Sequence, residues 1–310
     1  MDILRKPIYI VGPTGSGKSN LAMKLARLVD GVIISADSMQ IYKTLDIGTA
    51  KESVDNRNLV SHEMIDIVDV DSEFSVAEYA VQARNHIKNV LNEGKTPIIV
   101  GGTGLYFEAL FYPMSFGSTA KDENVRKKLE DELAEFGAEH MHDKLAEIDP
   151  EAACKLHVND TRRVVRALEI ALCGGKTKSA SRDDMQKPDV LVVGLNTDRQ
   201  KLYDRINRRV EIMFAEGLVD EVYSVGSFDY QSMKAIGYKE FAPYTPTFVD
   251  GKYILNDHDQ QEVIATIQKN TRNYAKRQLT WFRRYDFVNW FDVDDTDGAI
   301  QFVIEKLSKK

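Results

Sequence analysis

The eight residues Gly12-Pro13-Thr14-Gly15-Ser16-Gly17-Lys18-Ser19 constrain this chain more than any other segment. They match G-x-x-x-x-G-K-[ST] in full. They follow the apolar, β-rich run Pro7 to Val11 and precede a stretch of helical spacing, Asn20 to Val29. A strand that enters a glycine-rich loop and then a helix is the context in which this pattern cradles phosphates. The glycines let backbone N–H groups converge on phosphate oxygens, and the helix N-terminus adds a favourable dipole. Lys18 supplies a point charge, and Ser19 offers a hydroxyl to a magnesium ion bridging those oxygens. The loop specifies a polyphosphate and leaves open which one. ATP or another nucleotide, with phosphoryl transfer, is the default reading.

The pattern around the loop predicts an α/β fold. Pro7 to Val11, Val32 to Ser35, His62 to Val68 and Pro97 to Val100 read as short buried strands, with an amphipathic helix from Ser75 to Leu91 between the last two. Such alternation gives a parallel sheet flanked by helices, here P-loop NTPase-like. From about Lys121 to Lys178 the texture becomes charged and helical, including Glu123 to Glu135 and Thr161 to Cys173. This is read as a helical insertion domain, residues 119–187, within a core of residues 1–118 and 188–310. Asp189 to Leu195 returns as a buried strand. Helices follow from Arg199 to about Val225 and from His258 to Arg284, and Phe287 to Phe291 is a last strand. The polar stretch Lys176 to Lys187 is the candidate mobile loop.

Composition limits the partners. Against 41 Lys and Arg stand 48 Asp and Glu, a net charge of −7, so any polyanion must be met by local basic patches. Two cysteines, Cys154 and Cys173, are too few for a disulfide framework and suit a reducing compartment. No uncharged apolar run approaches the ~20 residues that span a bilayer. The N-terminal residues lack the apolar core of a secretory signal. The expectation is a cytoplasmic protein without membrane contact.

The second strand ends in Ser35-Ala36-Asp37-Ser38, which brings Asp37 to the carboxyl edge of the sheet, where the phosphate loop also lies. A carboxylate there can accept a proton from an attacking nucleophile. It can equally cap the turn that follows, and the local sequence does not choose between these. The strand Pro97 to Val100 ends in Gly101-Gly102-Thr103-Gly104 and lacks the acid that often assists magnesium in P-loop NTPases. A kinase is therefore allowed without being favoured.

Further blocks decide the matter: Asp37-Ser38-Met39-Gln40-Ile41-Tyr42-Lys43, Asp46-Ile47-Gly48-Thr49-Ala50-Lys51, Gly101 to Tyr106, Asn159 to Glu169, Gly237-Tyr238-Lys239-Glu240 and Thr271 to Trp281. With the phosphate loop, and in this order, they resemble the tRNA dimethylallyltransferases, or tRNA isopentenyltransferases, over nearly the whole chain. Gly15 and Ser19 stand where many members have Ala and Thr. No Cys/His zinc finger follows Trp281, as one does in many eukaryotic members, so the bacterial type is expected.

The resemblance implies transfer of a dimethylallyl group from dimethylallyl diphosphate to N6 of adenosine at tRNA position 37, immediately 3′ of the anticodon. The tRNAs would be those reading codons that begin with U, and pyrophosphate would leave. It implies Asp37 as general base, Thr14 at the diphosphate or bridging oxygen, Arg209 as a clamp on pyrophosphate, and Mg2+ at Ser19. Apart from the resemblance, Arg205 and Arg209 read as an i, i+4 solvated helix face. Contacts to the anticodon stem-loop are implied at Asp37, Ser38, Met39, Gln40, Thr103, Arg126, Arg162, Arg163, Arg166, Lys234, Gly237, Tyr238, Lys239, Lys276, Arg277, Gln278, Trp281 and Arg283. A monomer is expected. Close alternatives are an enzyme prenylating free adenine nucleotides, a P-loop small-molecule kinase, and a tRNA-binding protein whose loop is a structural anion site.

From Lys269 to Arg284 six basic residues occur with no acid, interleaved with Tyr274, Trp281 and Phe282. That suits phosphate contact with base stacking, and it equally suits a basic amphipathic helix with its aromatics packed inward. His140, His142, Cys154 and His157 lack the further ligands of a zinc site and are read as surface or packing residues.

Overall fold

The computed structural model describes residues 5–112, 123–173 and 188–308. The stretch 176–187, expected as a mobile loop, lies outside them. The chain divides into two compact units, residues 1–111 with 189–310, and residues 112–188.

In the first unit six parallel strands form one sheet: β1 (Ile8–Val11), β2 (Gly31–Ser35), β3 (His62–Glu63), β4 (Thr96–Gly101), β5 (Leu191–Asn196) and β8 (Val288–Asp292). Their spatial order is β3-β2-β4-β1-β5-β8, with β1 paired to β4 on one side and β5 on the other. The expected parallel α/β sheet flanked by helices is present. Strands β1 and β4 are buried at every position, as strands covered on both faces must be.

Helix α1 (Lys18–Val29) turns Leu21, Ala22, Leu25, Ala26 and Val29 inward, the spacing of a single apolar stripe. These pack with Ile8, Ile10, Ile33, Ile98 and Val193 of the sheet and with Val303 and Leu307 of the last helix, α11 (Thr296–Leu307). Helix α3 (Val76–Asn92) opens with a full capping box, Ser75 and Glu78 each bonding the other's backbone N–H.

Four features depart from the sequence expectation. The third strand stops at Glu63: Met64 and Asp66 take left-handed φ of 62° and 56°, and Asp66 bridges Lys51 and Arg57, each at 2.6 Å. Only an isolated bridge, Tyr42 to Val68, extends the pairing. Second, the helix expected from Arg199 to Val225 is two, α8 (Arg199–Ala215) and α9 (Leu218–Ser224), because Gly217 between them has φ +102°. Third, a two-stranded hairpin, β6 (Thr247–Val249) and β7 (Lys252–Ile254), precedes α10 (Asp257–Phe282). Fourth, α2 (Val54–Leu59) and α4 (Gly104–Phe111) occupy stretches to which the sequence assigns no element.

Within its described residues the second unit is helical: α5 (Glu123–Ile148), interrupted at Gly137, α6 (Pro150–Lys155) and α7 (Thr161–Leu172). Leu129, Met141, Leu145, Val164 and Leu168 form its core. His142 Nε2 lies 3.2 and 3.0 Å from the carbonyl oxygens of Ala153 and Leu156, and His140 pairs with Glu132 at 2.8 Å. Both histidines serve packing and surface pairing.

Candidate active site

The carboxyl ends of β1, β2 and β4 open on one cavity of about 650 Å³, walled by residues of the first unit alone. This is where ligands bind in open parallel α/β sheets. The phosphate loop leaves β1 and turns into α1 through Gly15 and Gly17, whose φ of +80° and +77° a side chain would oppose. Lys18 Nζ donates to Pro13 O at 2.7 Å. Arg209 reaches in from α8, its Nη1 donating to Thr14 Oγ1 at 3.3 Å. The solvated-face reading of Arg209 is thereby corrected, since its guanidinium lies in the cavity wall. Arg205 remains outside, 3.7 Å from Asp294.

The cations are close enough to affect one another. Burial, with Arg209 beside it, pulls the Lys18 ammonium from 10.5 down to about 7, and Asp37 opposes this. Burial likewise lowers Arg209, again against Asp37. Two cations sharing a partly desolvated site repel, and an anionic ligand between them would relieve both. Asp37 has two tasks. Its Oδ1 accepts the Met39 N–H at 2.9 Å, the turn-capping contact, which holds the carboxylate in place. Its Oδ2 has no protein hydrogen bond among the described residues, and the side chain lines the cavity.

Buried Gln278 of α10 braces the loop. Its Oε1 accepts the Thr14 N–H at 2.8 Å and its Nε2 donates to Gly102 O at 2.9 Å, so both ends of its amide are engaged. A Cβ on Gly102 would lie 2.1 Å from that Nε2. Thr103 Oγ1 accepts the Ser38 N–H at 3.0 Å and joins the end of β4 to the Asp37 turn. Tyr274 lines the cavity between these groups, and burial with the nearby Asp37 pushes its phenol up to about 12.

The residues expected to meet RNA divide into several settings. Lys276, Arg277 and Arg283 are exposed on α10 and just beyond it, and Arg277 also lines the cavity. The aromatics of this helix turn inward: Phe282 is fully buried, and the Trp281 indole fills the space a Cβ on Gly104 would need. Arg284 lies over the outer face of that indole, 3.9 Å from its centroid. Met39, Gln40, Lys234, Gly237 and Lys239 line the cavity with Asp37 and Ser38. Tyr238 is fully buried, its hydroxyl donating to Glu221 Oε1 at 2.7 Å. In the second unit, Arg162 and Arg163 are exposed on α7, Arg126 pairs with Glu130 at 3.0 Å, and Arg166 offsets buried Glu169 at 2.9 Å.

Ser19 also lines the cavity, as do Lys18 and Asp37. A hydroxyl and a carboxylate are hard oxygen donors, the set that magnesium prefers. Sequence reasoning missed the apolar part of the wall, Ile206, Val210 and Met213 of α8 with Ile236 and Ile267, which reads in the sequence as ordinary core. It also missed Glu221, whose only signal is an acid in the first turn of a short helix. A flank of aliphatic side chains next to a phosphate loop equips the cavity for a ligand with one charged and one hydrocarbon end.

Known proteins resemble this chain in sequence and in fold. The family model for "IPP transferase" matches residues 40–285. A tRNA dimethylallyltransferase of Bacillus cytotoxicus is 44% identical, covering 98% of this chain and 96% of its own. One from Halothermothrix orenii is 45% identical over 97% and 92%. Both alignments are long enough to include the phosphate loop that precedes the family match. Among solved structures, the tRNA isopentenylpyrophosphate transferase of Bacillus halodurans superposes with a TM-score of 0.69 at 41% identity, covering 98% of this chain and 97% of its own. A eukaryotic dimethylallyltransferase acting on tRNA gives 0.75 at 28% identity, over 93% and 74%. By sequence over nearly its whole length, and by fold, this chain belongs to the IPP transferase family, that of the tRNA dimethylallyltransferases.

Proposed function

We propose that the protein transfers the dimethylallyl group of dimethylallyl diphosphate to N6 of adenosine 37 in tRNAs that read codons beginning with U, releasing pyrophosphate. It would act as a monomer in the cytoplasm. The observation that carries this reading is a single cavity holding Asp37, Thr14, Lys18 and Arg209 next to an aliphatic wall. No helix among the described residues is long and apolar enough to cross a membrane, and the cysteines are unpaired thiols.

In this reading the phosphate loop, Lys18 and Arg209 bind the diphosphate, and Ile206, Val210 and Met213 receive its hydrocarbon. Adenine N6 is a weak nucleophile because its lone pair is delocalised into the ring. As N6 attacks C1 of the allyl group, the C1–O bond breaks and N6 becomes acidic, and Asp37 Oδ2 takes its proton. Negative charge grows on the leaving pyrophosphate, where Arg209, Lys18 and the loop N–H groups oppose it. Thr14 Oγ1, which accepts from Arg209 Nη1 at 3.3 Å, would donate to the bridging oxygen. Ser19 would hold a magnesium ion, which would neutralise part of the diphosphate charge. The adenosine must leave its stack to enter the cavity, at a cost of a few kcal/mol. The exposed cations Lys276, Arg277 and Arg283, with Arg162 and Arg163, would bind stem-loop phosphates.

The test is transfer of labelled dimethylallyl from the diphosphate, with magnesium, to an unmodified anticodon stem-loop and to AMP in parallel. Label on the RNA alone is expected. Label on AMP alone would keep the chemistry and remove the RNA assignments, and phosphorylation of an acceptor by ATP would overturn the reading.

A further inference from the structure

Two sequence blocks, Asp46 to Lys51 and Gly237 to Glu240, give the cavity wall Gly48 to Lys51 and Gly237 to Lys239 without supplying a group to the transfer itself. Their backbones converge on one carboxylate. Glu221 of α9 accepts the N–H groups of Asp46 and Ile47 on Oε2, both at 2.7 Å, and the Gly48 N–H on Oε1 at 2.9 Å. The Tyr238 hydroxyl completes the set on Oε1 at 2.7 Å. Consecutive N–H groups turned onto an anion form a nest, and hydrogen bonds to an ionised acceptor are the stronger kind.

The Tyr238 ring fits against the same loop, since a Cβ on Gly48 would lie 2.6 Å from its ring and hydroxyl. A second carboxylate ties this assembly to α10: Glu240 accepts the Gly237 N–H at 2.8 Å and the Asn270 amide at 2.8 Å. From the anchored loop, the Thr49 and Ala50 carbonyls reach Gln40 Nε2, both at 3.4 Å, while Gln40 Oε1 accepts from Ser35 Oγ at 3.0 Å. Gln40 belongs to the turn that carries Asp37. The phosphate loop is braced separately, through Gln278 and Arg209.

We infer that Glu221 is a positioning residue for the acceptor. It holds the Asp46 to Ala50 loop and the Tyr238 segment as one wall on which the adenosine is set against Asp37, while leaving donor binding to the other brace. This rests on the transfer reading above. The role requires an acceptor-only group, because every partner of Glu221 is a donor. An amide would turn an NH2 toward at least one backbone N–H.

The experiment compares Glu221→Gln with wild type by steady-state kinetics in both substrates and by hydrogen exchange of the free protein. The expected result is a stem-loop KM raised by ~10-fold or more with the dimethylallyl diphosphate KM within ~2-fold, as removal of charge-assisted hydrogen bonds on one side of the site requires. Amide exchange at residues 46–48 should accelerate by ~10-fold or more while the sheet amides are unchanged. Tyr238→Phe keeps the ring on Gly48 and removes one donor, so it should raise the stem-loop KM less, by ~3-fold, and combine non-additively with Glu221→Gln. Equal losses in both KM values, or no change in either, would overturn the inference. If the wild-type protein prenylates no RNA, the transfer reading fails, and the exchange data alone decide whether Glu221 anchors the loop.

Discussion

The backbone N–H of Thr14 donates to Gln278 Oε1 at 2.8 Å, and Nε2 of the same side chain donates to Gly102 O at 2.9 Å. One buried residue of α10 thereby fixes the phosphate loop after β1 to the end of β4. Gln278→Ala leaves the Gly102 carbonyl and the Thr14 N–H without this partner, and each buried unsatisfied group costs about 1–3 kcal/mol. A lower midpoint of urea unfolding is expected, together with a dimethylallyl diphosphate KM raised at least several-fold. Retained donor KM would contradict the brace.

Gly102→Ala should reproduce that phenotype with the amide still in the sequence, because its methyl would stand 2.1 Å from Gln278 Nε2 and push it away. The two substitutions break one interaction. Their double mutant is therefore expected to be little worse than either single, where independent sites would add. Denaturant unfolding of the four proteins measures this.

Lys18 gives the donor site a pH dependence. Its ammonium, pulled down to about 7 by burial and Arg209, is lost from the free site as pH rises through that value. A bound diphosphate favours the charged form, so donor KM should be lowest below about pH 7 and climb by up to roughly tenfold per unit above it. Folding stability moves the other way. Between about 7 and the ordinary lysine value the unfolded chain holds the proton that the folded site has released, so this residue's contribution to stability rises with pH. Lys18→Met should flatten both profiles.

The strands, the phosphate loop and the insertion were legible because each rests on a local rule: alternation of buried runs, a spaced glycine motif, a change of texture after Lys121. Asp37 was legible as a carboxylate at a strand end, though only the structure shows that one oxygen caps Met39 while the residue also lines the cavity. Arg209 was not legible from its helix, since an i, i+4 arginine pair looks the same facing solvent or a phosphate. Glu221 was hidden because three of its four partners are backbone N–H groups more than 170 residues away. Backbone donors leave no mark in a sequence. The aromatics of α10 show the opposite ambiguity: Phe282 is buried and the half-buried Trp281 indole packs against Gly104, while Lys276 and Arg277 face out.

Those exposed cations should act through phosphates. Neutralising Lys276 or Arg283 singly is expected to weaken stem-loop binding, with donor KM unchanged. The slope of log affinity against log salt should fall by about 0.7–1 for each phosphate the native side chain neutralises. Filter binding at several salt concentrations tests each. An unchanged slope would show that the residue does not meet a phosphate.

The most direct test is single-turnover transfer of labelled dimethylallyl to the anticodon stem-loop by the wild-type protein and by Asp37→Asn, with donor binding measured alongside. The substitution keeps the shape and removes the proton acceptor. The expected result is label on the RNA with wild type, and a rate slower by about 10²- to 10⁴-fold in the variant at nearly unchanged donor affinity. Near-normal transfer by Asp37→Asn would contradict Asp37 as the base, and absence of RNA labelling by wild type would contradict the assigned reaction itself.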